Sequence, residues 1–179
     1  MKFNWKLLVF YFLVFAVAGW LYEMAHFWVY NWRPIYNRGF LYGLYLPVYG
    51  FGGVLLVLTL SKLMRKKIKV WRLPITPLLV FLGICFIVTV VELITGVALL
   101  ELFGRRWWDY SYTPLNFMGH ISVRHTLRFG VGGMIMMYLV NPPLEKLFRK
   151  IPDKGQLIFA ITALTVLIAD LVLVIIFRI

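Results

Sequence analysis

Five apolar runs, each near or above twenty residues, restrict this chain more than any other feature of it. A hydrocarbon layer of about 30 Å offers no water to a backbone amide. A helix of roughly 20 residues, which satisfies its own amides, is therefore the element that crosses it. The period-two alternation of a membrane β-barrel strand is absent. The runs predict helices over about residues 5–28, 40–63, 75–100, 117–140 and 156–177. The expected fold is all-α, a polytopic membrane helix bundle of about five transmembrane helices. It forms a single integral membrane domain over residues 1–179. A hydrophobic share of 62% and a mean hydropathy of +0.84 exclude an ordinary soluble domain. The first run continues to Tyr30 without a small-residue cleavage pattern and reads as a retained helix rather than a signal peptide.

The net charge of +12 is placed where a membrane protein needs it. Lys2 and Lys6 precede the first run. Lys62, Arg65, Lys66, Lys67, Lys69 and Arg72 fill the next loop on that side, and Lys146, Arg149, Lys150 and Lys154 the one after. These are twelve of the nineteen Lys and Arg residues, so the positive-inside rule gives an N-in, C-out orientation. The other side holds Arg33, Arg38, Arg105, Arg106 and Arg178, with Arg124 and Arg128 inside the fourth helix. Partners follow from this placement. The basic loops meet anionic lipid headgroups, and nucleic acid is not expected. Cys85 is the only cysteine, which excludes an intrachain disulfide and a cysteine-based metal site.

Breaks in the pattern are equally specific. Pro34 disfavours helix at Arg33, so the first loop belongs there. The run from Gly39 to Gly53, with Gly43, Pro47, Gly50 and Gly52 between, has two readings. One is a closely packed helix with a GxxxG face, the other an irregular segment surrounded by protein. Asn141-Pro142-Pro143 is expected to stop the fourth helix.

The stretch from Glu101 to Arg128 is the polar exception in a greasy chain. With a rise of about 1.5 Å per residue, Glu23, Glu92, His120, Arg124, His125, Arg128 and Asp170 all fall toward the outer side. His120, Arg124 and Arg128 share a stripe on the expected fourth helix. Gly19, Glu23 and His26 share a face of the first, and Thr89, Glu92 and Gly96 one of the third. Charge buried in lipid is costly unless paired or wet. The expected arrangement pairs Glu23, Glu92 and Asp170 with Arg124 and Arg128 around an outward-facing cavity. A closed salt-bridge network that holds the helices in register is the structural alternative. Trp107 and Trp108 read as an interfacial anchor. No GxxxxGK[ST], HExxH or GxSxG occurs, so no ATP hydrolysis, zinc protease or serine hydrolase motif is carried by this chain. No cofactor is expected. Three histidines without ligand spacing give no metal site.

Gly19-Trp20-Leu21-Tyr22-Glu23, Asn37-Arg38-Gly39-Phe40-Leu41-Tyr42-Gly43 and Pro47-Val48-Tyr49-Gly50-Phe51-Gly52 occur in that order. Glu92, Gly96, Leu100-Glu101, Trp107-Trp108-Asp109-Tyr110-Ser111, Asn116 and Gly119-His120-Ile121 follow. Over residues 10–133 this series resembles the putative ABC-transporter type IV permease family (CmpB-like). Arg124-His125 and Arg128-Phe129-Gly130 depart from the family's pattern, being more charged than expected there. The resemblance implies a small multi-pass protein of the bacterial cytoplasmic membrane, labelled a transporter permease. It marks Glu23, Asn37, Arg38, Glu92, Glu101, Trp108, Asp109 and Asn116 as motif positions.

Three functions fit. The first is a transport component whose outer polar cavity binds a small charged or zwitterionic solute, at those residues with His120, Arg124 and Arg128. A separate ATPase subunit would dock on the cytoplasmic loops, with Leu144 to Arg149 the better docking segment. The second is an intramembrane enzyme at the outer leaflet, with Glu23 or Glu92 as base and Arg124 and Arg128 clamping a lipid-linked phosphate. The third is a structural or regulatory partner that packs through its glycine face, as a homo-oligomer or against another membrane protein.

Overall fold

The computed structural model describes residues 4–31 and 39–177. Its elements are α1 (Trp5–Asn31), α2 (Pro47–Met64), β1 (Lys69–Val70), β2 (Leu73–Pro74), α3 (Thr76–Phe103), β3 (Asn116–Phe117), β4 (Ile121–Ser122) and α4 (Val123–Ile135). A π-turn (Met136–Val140), α5 (Asn141–Lys150) and α6 (Asp153–Phe177) complete the chain. The strands form two isolated antiparallel hairpins, β1 with β2 and β3 with β4, so the fold is all-α. Among the described residues, four helices are long and apolar enough to span a bilayer: Trp5–Val29, Pro47–Met64, Thr76–Phe103 and Asp153–Phe177. The helices form two compact units, Met1–Val54 with Asn141–Ile179, and Leu55–Val140.

In the first unit α1 is the central helix. Asn4 caps it, its Oδ1 accepting from the amides of Lys6 at 3.1 Å and Leu7 at 3.3 Å. Phe10 stacks on Phe148 of α5 with ring centroids 4.5 Å apart, and Phe148 meets Phe159 of α6 edge-on. The Lys6 ammonium pairs with Asp153 in the first turn of α6, where the helix dipole also favours an acid. Small residues set the approach of α2. A Cβ at Gly50 would sit 2.7 Å from the Phe12 ring, and one at Gly53 would sit 2.0 Å from Phe15 Cγ. These two glycines are thus occupied by aromatics of α1.

The glycine-rich stretch resolves as the irregular alternative. The helix begins at Pro47, and residues 39–46 are bent backbone. What holds them is Asp170 of α6. Its carboxylate accepts from the amides of Tyr42 at 2.9 Å and Gly43 at 2.8 Å and from the Tyr45 hydroxyl at 2.5 Å. The Leu46 amide donates to the carbonyl of Ala16 at 3.0 Å. Leu41, Tyr45, Ala16 and Val174 bury together around this segment. Irregular backbone at membrane depth persists only where protein satisfies its amides, and here one carboxylate satisfies two of them.

In the second unit α3 packs on α4. Gly130 lies against Cys85 and Phe81, Gly133 against Ile84, and the hydroxyls of Thr89 and Thr126 meet at 2.9 Å. The α3 helix ends at Gly104, whose φ of 64° lets its amide turn back to the Leu100 carbonyl at 2.8 Å. The expected fourth helix differs at both ends. It starts at Val123, not near 117, because Leu115, Met118 and Gly119 take φ values of 55°, 54° and 70°, which no α-helix accommodates. Its far end does not stop at Pro142. The chain stays helical to Lys150, with Pro142 and Pro143 in the first turn of α5, where missing amides cost little. The carbonyls those prolines cannot serve lie in the preceding turn, which widens into the π-turn Met136–Val140.

Candidate functional site

The polar stretch folds into a bracket joining α3 to α4 in the second unit. Asn116 organises it. Its Nδ2 donates to the carbonyls of Ser111 at 3.2 Å and Thr113 at 2.9 Å, and its Oδ1 accepts from the Gly119 amide at 3.1 Å. Asp109 accepts from the Ser111 amide at 2.9 Å and hydroxyl at 2.5 Å, with Arg106 at 3.9 Å. The Ser111 contacts, chiefly, hold the Asp109 carboxyl below the usual range. Arg106 also donates to the Met118 carbonyl at 2.8 Å. Pairing of Asn116 with Ser122 and of Phe117 with Ile121 closes the loop.

The underside of this bracket rests on the face of α3 that carries Thr89, Glu92 and Gly96. Glu92 is buried, and its Oε1 accepts from the Tyr110 hydroxyl at 2.9 Å. The Tyr110 ring stacks on His125 at 3.9 Å and 9°. His125 Nδ1 lies 2.7 Å from Ser122 Oγ, the N-cap oxygen of α4. Gly96 leaves room for His120 and Trp108, since a Cβ there would fall 2.7 Å from His120 Nδ1. Trp108 Nε1 donates to the His120 carbonyl at 2.8 Å, so this tryptophan braces the bracket from within. Trp107 stands under Arg105, whose guanidinium lies 4.3 Å from its ring centroid.

Of the residues singled out in the sequence, Glu92, Trp108, Asp109, Asn116 and His120 are brought together here. The stripe of His120, Arg124 and Arg128 does not form, because His120 belongs to the β3–β4 turn and precedes the helix. Arg124 is exposed on the first turn of α4 and Arg128 half-buried one turn on. Glu101 is exposed near the C-terminal end of α3. Glu23 lies in the first unit, where it accepts from Tyr49 at 2.5 Å beside Gly19. Asn37 and Arg38 fall outside the described residues, as does the break at Arg33-Pro34. The three carboxylates share one feature. Glu23, Glu92 and Asp170 each accept from a tyrosine hydroxyl, of Tyr49, Tyr110 and Tyr45. Tyr110 and the contact of Ser122 with His125 were not legible as a site. The first hid inside an aromatic run, and the second needs the helix start at Val123 to exist.

His120 gives the bracket a pH response. It is 2% exposed, and burial first, then the Arg106 charge, push its pKa below the ordinary histidine value. The neutral ring is therefore favoured in the folded bracket. Its contribution to stability is complete above the unfolded value of about 6.5 and is lost as pH falls below it toward the folded pKa. Amide exchange over residues 109–122, corrected for intrinsic rate, is expected to quicken at pH 5.5 relative to pH 7.5. In His120→Gln the two pH values are expected to give the same protection.

Residues 10–175 match one family model, described as putative ABC-transporter type IV. No curated protein matches the chain, and no solved structure does.

Proposed function

The chain belongs to the putative ABC-transporter type IV family, and from that premise we propose that it is the membrane-spanning component of a transport system for a small charged or zwitterionic solute. The observation that carries the site is the buried carboxylate of Glu92 beneath a hydrogen-bonded bracket. A carboxylate at that depth suits an ammonium group. Arg106, Arg124 and Arg128, all in the same unit, supply the opposite charge for an anionic end. With the N-terminus inside, this bracket follows three spans and lies on the outer side of a bacterial cytoplasmic membrane, while the Lys6–Asp153 pair keeps the junction of α5 and α6 beside the N-terminus. The chain lacks an ATPase motif, so a separate ATPase subunit supplies the energy. Its docking element is α5, an amphipathic helix between α4 and α6 with Phe148 buried and Leu147 exposed.

The test is affinity purification from native membranes in mild detergent, against an unrelated membrane protein as control. A P-loop ATPase recovered in stoichiometric amount supports the reading, and its absence across several detergents overturns it. For the pair reconstituted in vesicles, Glu92→Gln keeps an acceptor for Tyr110 but removes the charge. It is expected to lower solute-stimulated ATP hydrolysis about tenfold or more, the loss of one charge-assisted hydrogen bond.

The contact between Ser122 and His125 supports a second reading, an outer-leaflet enzyme acting on a lipid-linked substrate. Ser122 also caps α4, so Ser122→Ala alone is ambiguous. Labelling of wild-type protein, but not of the Ser122→Ala variant, by a fluorophosphonate would favour the enzyme.

A further inference from the structure

The loop between α2 and α3 is basic in sequence, but in the structure it is a shaped element. Val70 pairs with Leu73 across a two-residue turn made by Trp71 and Arg72. Trp71 is 97% exposed, Leu73 71% and Val70 56%, so the tip is an apolar wedge that no described residue covers. Lys62, Arg65, Lys66, Lys67, Lys69 and Arg72 surround it, and no acidic residue occurs between residues 55 and 91.

Two further features set this hairpin apart from a solvated loop. Its base is built. Thr76 Oγ1 accepts from the Ile68 amide at 2.9 Å and donates to the Lys66 carbonyl at 2.7 Å, and the Ile75 amide donates to the Ile68 carbonyl at 3.0 Å. Thr76 itself is 6% exposed. The tip is strained, because Trp71 holds a φ of 55°, a conformation that hairpin turns ordinarily assign to glycine or asparagine. Among the described residues Trp71 gains no packing to offset that strain, which suits a tip whose partner lies outside the chain.

We propose that the β1–β2 hairpin is a membrane-surface anchor that seats Trp71 among anionic phospholipid headgroups. The hairpin joins the end of one membrane-spanning helix, Met64, to the start of the next, Thr76. It therefore emerges at the level of the bilayer surface whichever leaflet that is. Tryptophan prefers that interface, its ring apolar and its N–H wet. Each neighbouring lysine or arginine adds attraction to a negatively charged surface. A lipid surface also suits an apolar wedge ringed by one sign of charge better than a solute does, since no described residue encloses it. This inference rests on the membrane fold and not on the transport reading, so either can fail alone.

The test uses the full-length chain with Cys85→Ala and Leu73→Cys, labelled at position 73 with an environment-sensitive fluorophore. Trp71 is retained. The protein is reconstituted in phosphatidylcholine vesicles with and without 30 mol% (about one lipid in three) phosphatidylglycerol. Quenching by headgroup-level nitroxide lipid reports burial at the interface, and quenching by iodide reports exposure to water. Nitroxide quenching is expected to rise with phosphatidylglycerol and to fall at high salt. Adding Trp71→Ala is expected to return the label to water even with the anionic lipid. Neutralising Lys66, Lys67, Lys69 and Arg72 to glutamine is expected to lower the buried-to-exposed ratio about fivefold per charge. Iodide quenching that is equal in both vesicles and indifferent to Trp71→Ala overturns the proposal. So does protection that arises only when an acidic protein is added, which would make the hairpin a protein-docking site instead.

Discussion

Replacing Asp170 with alanine is expected to cost about 3–5 kcal/mol, the largest loss from a single side chain in the first unit. Two backbone amides and the Tyr45 hydroxyl would lose one shared acceptor in an apolar surround. Each buried donor left unmade costs about 1–3 kcal/mol. The bent segment 39–46 has no helical hydrogen bonds to fall back on, so it is expected to loosen as a unit. For a chain of this size the melting midpoint in detergent should fall by about 10 °C. Asp170→Asn retains one acceptor oxygen and should fall about half as far, and Tyr45→Phe, which removes one donor, should lose about 1 kcal/mol. A midpoint for Asp170→Ala equal to that of the wild type would show that the carboxylate does not hold the segment.

The second large effect is expected at Gly119. Its φ is 70°, and a Cβ there would lie 2.5 Å from Ser111 Oγ, 2.6 Å from an Arg106 nitrogen and 2.9 Å from Asp109 Oδ1. Valine adds a backbone penalty of about 1–3 kcal/mol and a comparable overpacking cost. Because the Gly119 amide donates to Asn116 Oδ1 and the Gly119 carbonyl accepts from the Tyr110 amide, the bracket is expected to open as one piece. Amide exchange in Gly119→Val should lose protection over residues 109–122 while the α3–α4 contacts near Gly130 keep theirs. Uniform loss across the second unit would mean that the bracket is not a separate cooperative element. Gly104→Ala offers a contrast. That glycine has a φ of 64° but nothing within 4 Å of its Cβ position, so only the backbone penalty of about 1 kcal/mol applies.

What the chain wrote in its sequence was its solvent. Apolar runs of twenty residues and more have one way to satisfy their amides in hydrocarbon, so α1, α3 and α6 were legible to within a few residues. The face of α3 that carries Thr89, Glu92 and Gly96 was legible for the same reason, since helical period alone places those side chains together. The partners of that face were not. Tyr110 reaches Glu92 across eighteen positions, past the left-handed Gly104, in a loop that left-handed Leu115, Met118 and Gly119 then fold back. Nor could charge alone predict that the three carboxylates would take tyrosine hydroxyls. The path of the backbone is what brings Tyr45, Tyr49 and Tyr110 within reach. Proline misled for a related reason. Pro142 and Pro143 forbid two amide donations, but a helix has free amides in its first turn, and only the packed structure decides whether a new first turn begins there. Hydrophobic length and period are properties of neighbours in the chain, so the sequence by itself determined a membrane helix bundle and the shared face of Thr89, Glu92 and Gly96 on α3. Which donor meets which buried acceptor is settled between residues distant in the chain, and the tertiary structure alone decided it.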